Sequence, residues 1–189
     1  MKQNEAVRKI HLREFKSISR AIIMYEDLNA LLKHSVEGIS RSFKVKGCSI
    51  MLFDEREKEF FRVSSFGVSE EYLSKGPLQV DDKYDTFVKG EPVFIEDMQN
   101  SPHVKYPEAA AKEGIVSMLS VPIKCRRRII GIIRVYNNEP WALHEDDLDS
   151  FCLLAEHMGC VIENNGLINF LEQVKIALGS LPMRMLEGL

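Results

Sequence analysis

Four stretches of this chain, CSIMLFD at 48–54, EFFRVSSF at 59–66, VSMLSVPIKC at 116–125 and RIIGIIRVYNN at 128–138, are rich in β-branched and aromatic residues and apolar at both odd and even positions. Successive side chains of a strand point to opposite faces, so a strand apolar in both registers needs cover on each side. Short polar turns separate the members of each pair, Glu55 to Lys58 in one and Arg126 with Arg127 in the other, which reads as two antiparallel hairpins. The chain must therefore build a sheet enclosed between two layers. Segments outside the hairpins have to supply both.

Helices flank the hairpins. Residues 3–24 contain neither Gly nor Pro, and Phe15, Ile18, Ile22 and Tyr25 follow at spacings of 3, 4 and 3, one face of an amphipathic helix. Asp27 caps a second helix, in which Leu28, Leu31, Leu32, Val36 and Ile39 recur at helical period as far as Phe43. Gly67 to Gly90 reads as irregular with one helical turn, EPVFIED as a short strand, and KYPEAAAKEG as a short helix ending at Gly114. After the polar turn His144 to Asp147, the positions Leu148, Phe151, Leu154, Ala155, Met158, Val161 and Ile162 predict a helix that runs to about Leu178, stopped by Gly179 and Pro182. More than thirty residues at about 1.5 Å each give on the order of 50 Å, longer than one small sheet can cover.

The excess length asks for a partner. Leu167, Leu171, Val174 and Leu178, spaced 4, 3 and 4, make the seam of a short coiled coil. Together with Phe15, Ile18, Ile22 and Tyr25 they are expected to form a homodimer interface; the alternative is that the two helices pack on each other within one chain. The expected organisation is a dimerisation helix at 1–24, one domain at 25–170 and a C-terminal extension at 171–189.

Charge and composition exclude several classes. The 25 Lys and Arg against 28 Asp and Glu give a net charge of -3, which argues against a nucleic-acid partner. No run approaches 18 uninterrupted apolar residues, and MKQNEAVRKIHLREFK is too polar for a signal peptide, so neither a membrane nor secretion is expected and a cytoplasmic location is. Cysteines 48, 125, 152 and 160 form no CxxC pair and read as free thiols in a reducing compartment. No Walker loop, GxGxxG, GxSxG or HxxxH pattern appears, so no catalytic or metal-ligating set is indicated.

The segment LSVPIKCRRRIIGIIRVYNNEPWALHEDDLDSFCLLAEHMGCVIENN, residues 119–165, resembles the last two strands and final helix of the GAF-domain family. DLNALLKHSVEGISRSF followed by GCSIMLFDE resembles the family's opening helix and first strand, and GEPVFIEDM its third strand, with Asp97 after it. The resemblance covers about residues 25 to 170. It implies an α+β fold, an antiparallel sheet with helices on both sides and long terminal helices. It also implies a non-catalytic module of bacterial signalling that senses a small molecule or binds a protein, commonly as a dimer. If the chain is complete, only MRMLEGL follows Pro182, and its output is a signalling protein acting in trans.

The family's known ligands fit poorly. Cyclic-nucleotide members carry an Asn-Lys, Phe, Asp-Glu pattern; here Asn137 is followed by Asn138, Leu143 stands for Phe, and Asp147 precedes Leu148, leaving Asp147 as a helix-start acid. Covalent bilin attachment would use a Cys about seven residues before Gly114, but that position is Pro107 and no cysteine lies between 49 and 124. Methionine sulfoxide reductase members need a resolving thiol, and Cys48 has none in its half of the domain. Haem or iron would rest on His103 alone. Cyclic nucleotide, bilin and haem are all disfavoured, and the cofactor is unknown.

The candidate pocket residues are Phe66, Asp97, Tyr106, Ser117, Ser120, Arg134 and Tyr136. Ile130, Ile132, Arg134 and Tyr136 fall on one strand face, which sets a guanidinium in an apolar row. Either it meets a ligand's carboxylate or phosphate, or its stem packs while its head reaches solvent or a nearby acid. The remaining polar groups would orient a ligand in a mostly apolar cavity.

Overall fold

The computed structural model describes residues 8, 10, 12–24, 27–76 and 86–179, with side chains through 176. Both hairpins form. β1 (Gly47–Asp54) pairs antiparallel with β2 (Glu59–Phe66), and β4 (Ser117–Cys125) with β5 (Arg128–Asn137). β1 also pairs with β5, so the hairpins join back to back, and β3 (Val93–Ile95) extends the β4 edge. The result is a five-stranded sheet of order β2-β1-β5-β4-β3.

One face of the sheet is covered by α2 (Leu28–Ser42) and α6 (Glu145–Gly179), and α1 (Leu12–Met24) packs on those two helices. Asp27 caps α2 as expected, accepting from the amides of Asn29 at 2.8 Å and Ala30 at 3.4 Å. Alternation sends Cys48 and Ile50, then Leu119, Val121 and Ile123, then Ile133 and Val135 into this layer, where they meet Leu31, Val36, Ile39, Leu154 and Met158. Burying each large aliphatic side chain contributes about 1.5–3 kcal/mol, so this layer supplies most of the hydrophobic stabilisation. Ile130, expected on the opposite face, packs at its margin. The ladder shift between Ile123 and Lys124 alters the alternation at that end of β5.

The other face carries α3 (Glu70–Leu73), α4 (Thr86–Lys89) and α5 (Pro107–Glu113) with their connections. The stretch 67–90 thus holds two short helices where sequence suggested one turn, with 77–85 outside the described residues. Tyr72, Ala110, Met118 and Tyr136 form one small cluster here, and Met51, Phe60, Ile132 and Phe87 form another.

The terminal helices differ from expectation. Ile18 and Ile22, assigned from sequence to a dimer interface, are 8% and 0% exposed within one chain. They face α2 and α6 because α1 folds back on the domain, and Phe15 packs at the edge of the same core. A second stripe of α1 remains outside: Leu12 at 73%, Ile23 at 61% and Met24 at 68% exposure, with Phe15 at its margin in a shallow groove. Tyr25 lies outside the described residues, as does the side chain of Leu178. Beyond Ile162, α6 leaves the core, and Leu167, Leu171 and Val174 stand exposed alongside Ile168 and Phe170. Among the described residues no helix is long and apolar enough to cross a membrane.

Candidate functional site

The strand register builds a polar row across the covered face. Ser65 of β2 lies opposite Ser49 of β1, Ser49 opposite Arg134 of β5, and Arg134 opposite Ser120 of β4. One step along the strands the row is bounded by Tyr136 and Met118, and one step the other way by Met51, Ile132 and Pro122. The two small apolar clusters therefore flank a polar strip. A sheet face under cover normally keeps such groups paired. Here Ser120 is 2% exposed, and among the described residues its Oγ has no hydrogen-bond partner and the buried Arg134 Nε has none either.

The remaining contacts in the strip are specific. The Tyr136 hydroxyl lies 2.9 Å from Ser49 Oγ, and its ring meets Tyr72 edge-on at 5.7 Å between centroids. Burial raises the pKa of Tyr136, with the Arg134 guanidinium and the Ser49 hydrogen bond acting the other way. Thr86, buried in α4, donates from Oγ1 to the Ser120 carbonyl at 3.3 Å. From α3's end Lys75 lays its Nζ 3.4 Å from the Tyr72 ring centroid while donating to the Tyr72 carbonyl at 3.0 Å. Burial, then the neighbouring Arg134 charge, lowers the Lys75 ammonium from the ordinary 10.5 to about 8. Glu113 offsets this in part, but it is occupied by both polar atoms of Ser69 and by Lys46 at 3.5 Å. Burial works against its charge and those contacts outweigh it, holding its carboxyl below the usual range. The site thus carries two cations that no carboxylate among the described residues pairs with.

The expected pocket residues divide. Ser120, Arg134 and Tyr136 come together. Ser117 is buried on the opposite face, donating to the Glu139 carbonyl at 3.0 Å, because residues three apart on a strand point opposite ways. Phe66 pairs with Cys48 and packs on the helical side, with the Arg41 guanidinium 5.6 Å from its ring centroid. Asp97 is exposed and turned back on its own loop. It accepts from the Gln99 and Asn100 amides and from Asn100 Nδ2 at 2.7 Å, the last being the largest cause of its lowered pKa. With His103 it lines a separate groove beside β3. Tyr106 begins α5 and presses its hydroxyl toward Gly76, where a Cβ would lie 2.5 Å from that oxygen and φ is +138°, so only glycine fits next to Lys75.

Sequence reasoning missed Ser49, Tyr72, Lys75 and Thr86. Ser49 had a signal, a lone hydroxyl between Cys48 and Ile50 in an apolar strand. The other three sit in the stretch read as irregular, where period carries no information.

Cys48 is wholly buried in the main core, and burial pushes its thiol far above the range in which thiolate forms. All four cysteines are free. Among the described residues no group of three His, Cys, Asp or Glu side chains is arranged to hold a metal. Asp147 is also structural, accepting from the Ile10 amide at 2.8 Å at the start of α6.

A five-stranded antiparallel sheet with a helical layer on one face and short helices and loops over a polar strip on the other defines an α+β module that encloses one sheet face. Residues 27–162 match the model of the GAF domain, and the chain belongs to that family. It is similar in structure to the GAF domain of a phosphoenolpyruvate-protein phosphotransferase from Acinetobacter, at 24% identity and a TM-score of 0.72, covering 86% of this chain and 98% of that one. The corresponding domain from Coxiella burnetii gives 19% identity and a TM-score of 0.74 over 84% and 95% of the two chains. A free methionine-R-sulfoxide reductase from Neisseria meningitidis, solved with its substrate, gives 16% and 0.67 over 85% and 96%. At these identities the likeness shows the fold. No curated protein matches the chain.

Proposed function

We propose that this chain is a non-catalytic regulatory module that binds a small molecule on the covered sheet face and passes the occupancy of that site to its terminal helices. The observation that carries this reading is the pair of buried, unpartnered polar atoms, Ser120 Oγ and Arg134 Nε, opposite each other in one ladder. An unmade hydrogen bond in a buried site costs about 1–3 kcal/mol, which a bound polar group would recover. β5 connects the two faces: Arg134 belongs to the site, while Ile133 and Val135 pack in the helical core with α6 residues. A ligand moves the helices only insofar as it binds one of their arrangements better.

The expected output is a homodimer. The outer α1 stripe of Leu12, Phe15 and Ile23 continues toward Leu153 of α6 through a second groove, and α6 extends the apolar surface through Leu167, Leu171 and Val174. A second copy would cover both segments at once. A cytoplasmic setting suits free thiols.

One observation favours a ligand-free dimerisation module instead: beside the polar strip the covered face is packed with the chain's own Phe53, Phe60 and Phe87, with ring centroids 4.4 to 5.4 Å apart. A thermal-melting screen against small metabolites separates the two. The sensing reading expects at least one compound to raise the melting temperature of the wild type and not of Ser120→Leu, whose side chain would occupy the strip. A screen in which every compound acts equally on both proteins supports the ligand-free module.

A further inference from the structure

We infer that Cys125 and Cys160 form a reversible oxidation site: a peroxide converts the two thiols to a disulfide that fastens α6 to the end of β4, just before the helix leaves the domain.

The backbone brings the pair together. β4 ends at Cys125, and Arg126 at φ +56° starts the tight return into β5. α6 crosses this strand end at Gly159, where an added Cβ would run into the Lys124 carbonyl and stand 3.4 Å from the Cys125 amide nitrogen. Only glycine lets the two backbones approach so closely. Cys160 is the next residue, its Cα about 3.8 Å from that of Gly159. At this crossing the Cys125 and Cys160 side chains share a hydrogen bond. Thiols in that contact need little backbone movement to reach disulfide geometry.

The two sulfurs are unequal. Cys160 is exposed, whereas Cys125 is only 8% exposed. Burial and then the Glu163 carboxylate raise the pKa of Cys125, with Arg126 acting the other way. The exposed sulfur therefore meets the oxidant first. As a thiolate it attacks one peroxide oxygen: the S–O bond forms, the O–O bond breaks, and the released hydroxide takes up the proton the thiol gave, leaving as water. Cys160 has then lost two electrons and is a sulfenic acid. Cys125 gives up its proton and attacks that sulfur; the S–S bond forms, the S–O bond breaks, and the proton leaves with the hydroxide as a second water. In total two thiols and one hydrogen peroxide give one disulfide and two waters, and an external dithiol reverses the change by exchange. Such a transient disulfide suits a reducing compartment.

The link lies where α6 leaves the core, two residues before Ile162. One tie between the β4–β5 turn and the helix there is the ion pair of Arg128 with Glu163 at 3.6 Å, in which the arginine is largely exposed and the hold weak. A disulfide adds a covalent tie at the same place.

The experiment is oxidation of the whole reduced chain with hydrogen peroxide, then alkylation of the remaining thiols and peptide mapping without reduction. The expected product is a peptide linking Cys125 to Cys160 within one chain, with alkylated cysteines falling from four to two and returning to four after dithiothreitol. Oxidation should raise the Tm of the wild type by several degrees, because a cross-link restricts the unfolded chain, and leave that of Cys160→Ser unmoved. Cys125→Ser should stop at the sulfenic acid, trapped on Cys160 with dimedone, and Cys152→Ser should cross-link as the wild type does. The wild-type map decides the assignment even where a variant fails to fold. Cys160 stands about two helical turns from the exposed Leu153 and from Leu167, so a Cys160–Cys160 link between two chains is the rival product, and it overturns the pairing. Sulfinic or sulfonic acid on Cys160 with Cys125 still a thiol overturns it too, as does survival of all four thiols. A linked chain that melts no higher overturns the fastening of α6.

Discussion

The backbone amide of Ile10 donates a 2.8 Å hydrogen bond to the carboxylate of Asp147, 137 residues away, and both residues are 0% exposed. This bond fastens the segment before α1 to the first turn of α6, so the N-terminal helix is part of the folded domain. Asp147→Ala should leave that amide buried without a partner and destabilise the protein by about 1–3 kcal/mol in urea denaturation. Asp147→Asn, which keeps an acceptor, should cost less.

The two stripes of α1 should respond oppositely. Ile22→Ala removes a fully buried side chain and is expected to cost about 2–5 kcal/mol, read as a lower urea midpoint. Leu12→Lys with Ile23→Lys changes exposed positions, so stability should move by no more than about 0.5 kcal/mol per site. Sedimentation velocity should nevertheless show the double variant as a monomer at concentrations where the wild type is a dimer.

Lys75 should give stability a distinct alkaline dependence. Its folded pKa is about 8 against an ordinary 10.5, so folding favours loss of this proton. Below pH 8 the lysine is charged in both states and the cost is present in full. Between pH 8 and 10.5 the unfolded chain holds more protons, and stability rises with pH. After discounting for partial exposure, the rise should be about 1–3 kcal/mol. Lys75→Met should lack it, which denaturant titrations at pH 7, 9 and 10.5 would reveal.

Thiol reactivity should follow burial. Cys160 is exposed and should react rapidly with a disulfide reagent in the native protein, whereas Cys48, buried with its thiol pKa pushed up, should react only as the chain unfolds. Rapid native labelling of Cys48, located by peptide mapping, would return the thiol-reductase reading to consideration.

The sequence made the strands and helix layers legible because their information is periodic. Both hairpins, the Asp27 cap and the Gly114 terminus follow from alternation, capping and left-handed backbone at φ +72°. The site was legible in part. Arg134 and Tyr136 stand out on one strand face, but Ser117 was grouped with Ser120 although an odd spacing separates their faces. Which α1 stripe is buried depends on how the helix docks. Ile18 and Ile22 are the pair turned inward, Ile18 lying over Gly38 of α2 with its Cγ1 3.9 Å from where a Cβ would stand. Lys75 and Thr86 come from short connections whose place is set by the sheet beneath them.

The central claim is that a small molecule occupies the covered face of a helix-linked dimer. Native mass spectrometry of the purified protein, set against its denatured mass and run beside Arg134→Gln, tests it most directly. The account predicts a dimer carrying extra mass that is lost on denaturation and reduced in the variant. A bare monomer for the wild type would contradict it.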